Sequence, residues 1–325
     1  MKEQTFKLNL ANTKKVGEFL LVSAMKSPYF FATLTAIFMG HNMVLIKSLL
    51  FTIDPLILAF LRMFLVAITL AIICYIGFGL VRPNKQQWIS LLVISFLGVF
   101  LHQITLALGL AYSQTTNSAL IMGLNPLTST LLGALMLKEV LFRRHYIGIF
   151  LGFIGICFIV FRDFSSFSFS IGDILIFISM ATQALSFVYI RRLANSMHVI
   201  PITAYMYILG SIMLLVVPVT RDMGVVLTFA GFTWIKIMLS SVVLTAFAFI
   251  LWNNCIQQLG VGASSIFLNL NTVTALFGAV VYLGEELLLQ HILGFLFISA
   301  GIGIATHHKK GKKEKRPSTI IEQSV

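Results

Sequence analysis

Two stretches of the chain read alike, 124-LNPLTSTLLGALMLKEVLFRRHYIGIFLGFIG-155 and 270-LNTVTALFGAVVYLGEELLLQHILGFLFISAG-301. Displaced by 146 positions (270 against 124), they align without a gap. The alignment pairs Asn125 with Asn271, Thr128 with Thr274, Glu139 with Glu285, His145 with His291, Gly148 with Gly294 and Gly155 with Gly301. Three Leu pairs (Leu124/Leu270, Leu137/Leu283, Leu141/Leu287) add little in so apolar a chain, whereas the Asn, Glu, His and Gly matches are informative. Self-similarity at a fixed offset means that one structural unit occurs twice.

Composition sets the solvent of that unit. Of 325 residues, 58% are hydrophobic and 10% charged, 29 are Phe, and the mean hydropathy is +0.96. Soluble domains carry about 25% charged residues. Helical spans need about 20 apolar residues each, and the apolar content is enough for ten. The expected fold is all-α and integral to a membrane, with spans at 29–50, 55–78, 88–110, 115–137, 145–161, 171–193, 200–219, 232–257, 261–283 and 288–306. Residues 1–28 read as a polar tail, with a short stretch, Phe19–Met25, that lies at the interface without spanning. Residues 307–325 read as a basic tail.

Lys and Arg flank the apolar runs, as topogenic charges do. With the N-terminus inside, 18 of the 23 fall on the inner side and four (Lys47, Arg162, Arg221, Lys236) outside, leaving only Arg62 within a span. Both termini are therefore expected in the cytoplasm, at the cell membrane. Five spans per copy is an odd number, so the second module (171–306) enters the membrane inverted relative to the first (29–161). Inverted repeats of this kind are an architecture of secondary transporters.

The net charge of +12 is accounted for by topology and does not indicate nucleic acid. Cys74, Cys157 and Cys255 lie within apolar runs and are odd in number, against a disulfide framework. No Gly-Lys-Ser/Thr phosphate loop or metal-spaced His/Cys cluster occurs, so no cofactor, metal or intrinsic ATP-driven activity is expected, and the chain is not read as an enzyme.

At these residues the sequence resembles the drug/metabolite transporter superfamily, in its ten-span EamA-type members. The resemblance rests on Ala111-Tyr112-Ser113 through Ser118-Ala119-Leu120, on Asn125-Pro126, on Leu137-Lys138-Glu139 and on the helix with Gly148, Gly152 and Gly155. The second copy matches through Gly262-Ala263-Ser264 to Asn271, Glu285-Glu286 and Gly294/Gly301. Lys47 and the Pro55 to Arg62 segment fit the opening of the module. Two departures are Met39-Gly40-His41-Asn42, where the family often has Trp-Gly before an Asn, and Asn271-Thr272 in place of a second Asn-Pro. The resemblance implies transport of small metabolites, usually export.

Polar residues inside hydrocarbon are costly unless paired or facing water, which selects the candidate substrate-binding residues. Asn125 and Asn271 lie ten residues into their spans, near the midplane, each three positions before a Thr on the same helix face. His41 and Asn42 lie at similar depth in span 1, His102 and Gln103 in span 3, and Gln183 with Ser186 in span 6. Each either lines a central cavity or bonds helix to helix. Trp252, beside Asn253 and Asn254, is a further cavity candidate. Tyr112, Tyr189, Tyr205, Tyr207 and Tyr282 fit pathway or packing, and Trp88 and Trp234 fit the interfacial belt.

Arg62 sits roughly 10 Å in from the start of its helix. It either holds a substrate carboxylate with its fork or bonds neighbouring carbonyls. Glu139 and Glu285 end spans 4 and 9, as gates, substrate-charge contacts or helix-end hydrogen bonds. The Gly148/Gly152/Gly155 face and its counterpart at Gly294, Ala300 and Gly301 suit close helix packing, within the monomer or at a homodimer seam.

No Asp or Glu lies in the middle of a span. Exchange of protons for cationic drugs relies on a buried carboxylate of raised pKa, so a neutral or zwitterionic small-molecule substrate fits better, with any proton coupling through His41 or His102. Alternating access through spans 1, 3, 4, 6, 8 and 9 is the expected mechanism. The rivals are proton-coupled drug efflux, a non-transporting sensor or scaffold, and a lipid-modifying enzyme.

Overall fold

A computed structural model describes residues 28–79, 81–137, 143–160, 170–259, 261, 264 and 267–306. Among them every regular element is helical. The helices are α1 (Pro28–Leu50), α2 (Pro55–Phe78), α3 (Lys85–Tyr112), α4 (Thr115–Met136), α5 (Arg143–Val160), α6 (Ile171–Leu193), α7 (Val199–Thr220), α8 (Gly231–Leu259), α9 (Leu268–Leu283) and α10 (Leu289–Thr306). Seven of these, α1–α4 and α6–α8, are long and apolar enough to cross a membrane, and shorter apolar runs lie at Tyr146–Gly155, Leu270–Leu283 and Leu289–Gly301. The protein is a multi-pass membrane protein.

Local chemistry sets the helix starts. Asp54 accepts from the N–H groups of Leu56 and Ile57 and precedes Pro55, whose missing N–H costs nothing at the first helical position. Asn84 and Gln87 form a reciprocal capping box at the head of α3. Ser170 and His198 cap α6 and α7.

Four helices depart from regular geometry; the departures in α3, α8 and α4 lie next to the cavity described below, and α7 is broken at Leu214–Leu215, away from it. In α3, Phe96–Leu101 is a π-helix, and in α8, Leu239–Phe247 is another. In α4 the helix is interrupted between Thr115–Met122 and Asn125–Leu137. Pro126 explains the interruption, because it has no N–H to give to the carbonyl four residues back. The second copy has Thr272 there, which keeps its N–H, and α9 runs unbroken from Leu268 to Leu283.

The side chains are sorted for lipid. On α2, Phe64, Ile68, Ile72 and Ile76 form an exposed stripe at four-residue spacing, while Arg62, Met63, Val66, Leu70 and Cys74 turn inward. The helices pair as α1 with α9, α4 with α6, α3 with α6, α8 with α1, α2 with α7, and α5 with α10. The last pair is very close. A Cβ on Gly155 would stand 2.8 Å from the Gly294 carbonyl oxygen, and one on Gly301 would stand 2.6 Å from that of Gly148. The glycine faces are therefore used inside the monomer, in the packing of α5 on α10.

One end of the bundle is tied by charge. Lys47 Nζ donates to the carbonyls of Leu110 and Ser113 (2.5 and 2.7 Å), which close the C-terminus of α3. Glu285 accepts from the N–H groups of Thr115 and Thr116 (2.7 and 2.8 Å) and from Thr116 Oγ1 (2.5 Å), which cap the N-terminus of α4. A cation from α1 and an anion from beyond α9 thus hold the single turn between α3 and α4. At the other end Arg191 Nη1 donates to the carbonyls of Gln257 (2.6 Å) and Ile256 (3.4 Å) near the C-terminus of α8. Glu139 lies outside the described residues.

Burial works against ionising Glu285, but the hydrogen bonds from Thr116 and Thr115 outweigh it and hold the carboxyl below its usual pKa of 4.5. A lowered native pKa contributes stability that is complete above the unfolded value and is lost as pH falls through the native one. Glu285→Gln is expected to lower stability at pH 7 by about 1 kcal/mol, read by thermal unfolding in detergent. The gap to wild type is expected to shrink below pH 4.5; a gap unchanged down to pH 3 would contradict the charge-based cap.

Candidate functional site

Side chains from seven helices meet at one cavity of about 60 Å³. Its polar wall is Asn42 (α1), Arg62 (α2), His102 and Gln103 (α3), Asn125 (α4), Gln183 (α6), Thr245 (α8) and Asn271 (α9), and its apolar wall includes Met39, Met43, Ile46, Leu106, Met122, Phe249 and Leu268. At roughly 10–15 Å³ per water, the space holds a few waters, and a metabolite would require the walls to move apart.

Two hydrogen-bonded groups build the polar wall apart from Asn271. In the first, Arg62 donates from Nε to Ser240 Oγ (2.8 Å), from Nη2 to Thr245 Oγ1 (3.1 Å) and from Nη1 to Gln103 Oε1 (3.5 Å). Ser240 Oγ donates to Asn42 Oδ1 (2.5 Å), Asn42 Nδ2 to Thr245 Oγ1 (3.0 Å), and Thr245 Oγ1 to the Ser240 carbonyl (2.7 Å). Ser240 and Thr245 are five residues apart, one turn of the π-helix, so the widened turn presents both hydroxyls to the same guanidinium.

The second group is a directional chain. His102 Nδ1 lies 3.0 Å from the carbonyl of Ser179 and 2.7 Å from Ser179 Oγ, whose own proton is directed to the His102 carbonyl at 3.0 Å, so both Ser179 oxygens accept when Nδ1 carries the proton. Nε2 is then an acceptor and takes a bond from Gln183 Nε2 (3.1 Å). Gln183 Oε1 accepts from Asn125 Nδ2 (2.9 Å), and Asn125 Oδ1 accepts from Ser129 Oγ (2.8 Å). Each link fixes the orientation of the next, and the chain ties α4, α6 and α3 together.

The other sequence candidates lie elsewhere. His41 is exposed, with Nδ1 against the Ile37 carbonyl at 2.9 Å, so it faces away from the cavity: at the turn of helix where Asn42 points inward, its neighbour points about 100° aside. Trp252 is fully buried but packs on Phe187, ring centroids 5.8 Å apart, and is not part of the cavity wall. Asn253 beside it bonds Thr203 across to α7 at 2.8 Å. Glu285 sits in the end clamp. Sequence reading passed over Ser240 and Thr245, whose hydroxyls give little signal in a membrane helix because they can bond their own backbone.

A model of the EamA-like transporter family matches residues 26–161 and again 170–306. The chain belongs to the EamA-like transporter family. Among similar proteins is the uncharacterized transporter YyaM of Bacillus subtilis (strain 168), 26% identical over 82% of this chain and 89% of that protein. The uncharacterized transporter YetK of the same organism is 26% identical over 91% of this chain and 92% of its own. An uncharacterized transporter of Archaeoglobus fulgidus is 24% identical over 84% and 95%. A solved crystal structure matches with a TM-score of 0.61 at 18% identity, over 85% of this chain and 95% of that one, a likeness of fold. As an EamA-like member within the drug/metabolite transporter superfamily, the protein is a membrane transporter by family.

Gln183→Leu would leave His102 Nε2 and Asn125 Nδ2 without partners in a buried site, at about 1–3 kcal/mol each. A double-mutant cycle with Asn125→Leu, read by thermal unfolding in detergent, is expected to give a coupling of about 0.5–2 kcal/mol. Strict additivity would sink the chain as a unit.

Proposed function

We propose that this protein is a secondary transporter that exports small metabolites, amino acids and related neutral or zwitterionic compounds, across the cytoplasmic membrane by alternating access. The observation that carries the reading is the cavity itself, a space lined by polar and apolar side chains of helices from both halves of the chain.

The ten helices are read as ten spans in two inverted modules, 29–161 and 171–306. Several findings support this. The family model matches twice. Exchanging each helix with the one five places away turns the pairing α1–α9 into α6–α4 and α3–α6 into α8–α1, and leaves α2–α7 and α5–α10 unchanged, so the packing maps onto itself. The π-helix of α3 falls within that of α8 on adding 146. Lys47 binds the Leu110 carbonyl, and Arg191 binds that of Ile256, again 146 further on. A two-fold arrangement with the site on its axis suits rocking of one module against the other. The Lys/Arg distribution supports cytoplasmic termini.

The described acidic residues lie at helix ends or in loops, which favours neutral or zwitterionic substrates over cationic drugs. His102, the histidine in the cavity wall, is the group through which protons would couple. A non-transporting sensor with a closed pocket is the second reading, favoured by the small cavity volume.

Counterflow into liposomes of labelled amino acids and other small metabolites, with and without a pH gradient, tests the proposal beside Asn125→Ala and Asn271→Ala. Saturable flux, reduced at least tenfold in both variants, is the expected result. Absence of flux over the whole panel from correctly folded protein would favour the sensor.

A further inference from the structure

We infer that Arg62 is the receptor for a substrate carboxylate, and that Asn271 Oδ1 takes a hydrogen bond from a donor group on the same substrate. This rests on the transporter reading and specifies its substrates as compounds with one carboxylate, extending them from zwitterions to monoanions.

The argument begins with charge. Arg62 is 2% exposed, and among the described residues its partners are two hydroxyls and an amide oxygen, with no carboxylate. A buried cation without a counter-ion is expensive. A guanidinium has five N–H donors; three are used, one of them at 3.5 Å, and two have no protein acceptor among the described residues. The side chain lines the cavity, which places the guanidinium beside an anion bound there.

A purely architectural role is not demanded by the repeat. The counterpart of α2 is α7, and Val199–Thr220 contains no Lys, Arg, Asp or Glu. One module builds this helix without a buried charge; the other keeps one beside the cavity.

The paired asparagines differ in the same way. Asn125 is engaged on both sides, by Gln183 and Ser129. Asn271 Oδ1 is buried in the same cavity wall and has no partner among the described residues. A buried acceptor left open is costly, and a substrate N–H or O–H would satisfy it. The wall therefore offers a cation to a carboxylate, an open acceptor to an amino or hydroxyl group, and Met39, Met43 and Phe249 to an apolar body. Among the described residues it has no carboxylate for a second cationic group and no second Arg or Lys for a dianion.

The test begins with wild-type protein in liposomes. Counterflow is measured for labelled neutral amino acids and for short-chain 2-hydroxy and simple monocarboxylic acids, with the matching amino-acid amides and decarboxylated amines as unlabelled competitors. The acids are expected to compete at least about tenfold better than the amides or amines. Arg62→Lys keeps the charge but loses the fork, and is expected to raise KM about tenfold or more with a smaller change in kcat; Arg62→Gln is expected to abolish flux. Asn271→Leu is expected to weaken amino and hydroxy acids several-fold more than simple monocarboxylates, which lack the donor group. Amides and amines that compete as well as the acids would overturn the subsite while leaving the transporter reading intact. So would Arg62→Gln protein that is monodisperse and keeps the wild-type KM. Should that variant fail to fold, the wild-type competition still decides. Loss of all saturable flux across the panel in wild type would remove the transporter reading and the subsite with it.

Discussion

Hydrocarbon offers no hydrogen-bond partner, so each polar group drawn into the membrane must find one inside the protein. That requirement organises the interior described above. Asn42, Arg62, Gln103, Ser240 and Thr245 satisfy one another across four helices. His102, Ser179, Gln183, Asn125 and Ser129 do so across three. Apolar packing distinguishes poorly between helix pairs in lipid, because the tails are as apolar as Leu. The polar groups supply the specificity: Arg62 meets Ser240 only when α2 and α8 have one relative rotation and depth.

The same constraint bears on the irregular backbone of α3, α4 and α8 at the cavity. A π-turn or a proline break frees backbone groups, which is tolerated at membrane depth only against protein or a water-accessible space. The segments Phe96–Leu101 and Leu239–Phe247 and the interruption before Pro126 all abut the residues of the polar wall. Two bonds of the wall depend on that irregularity directly, since Ser240 and Thr245 would not face one guanidinium on a regular helix. Backbone distortion and side-chain chemistry are thus one feature.

At the helix ends, where charges can reach water or headgroups, full charges replace neutral hydrogen bonds. Lys47 and Glu285 bind opposite ends of the α3–α4 turn, each matching the dipole of the terminus it caps. The turn is held by residues remote in sequence, from α1 and from beyond α9, so any separation of those helices must release it. A transporter that opens its cavity in alternation would need contacts of this kind, local and reversible.

Much of this is legible in the amino-acid sequence itself. Hydropathy period and span length mark the helices because lipid punishes exposed polar groups wherever they occur, and the 146-residue offset marks the repeated unit because Asn, Glu, His and Gly are scarce in such a background. Intramembrane Asn42, Arg62, His102, Gln103, Asn125, Gln183 and Asn271 stand out for the same reason, and they gather at one cavity. What sequence could not decide was direction and partnership. His41 and Asn42 are neighbours with opposite environments, and Trp252 packs inside a core. Ser240 and Thr245 are ordinary hydroxyls until α2 lies beside them. That Asn125 is hydrogen-bonded on both sides while Asn271 keeps an open oxygen is likewise invisible in two matching stretches. Composition and period are properties of single helices and survive in one dimension; hydrogen-bond partners are fixed by the rotation and depth of helices against each other, and only tertiary packing sets those.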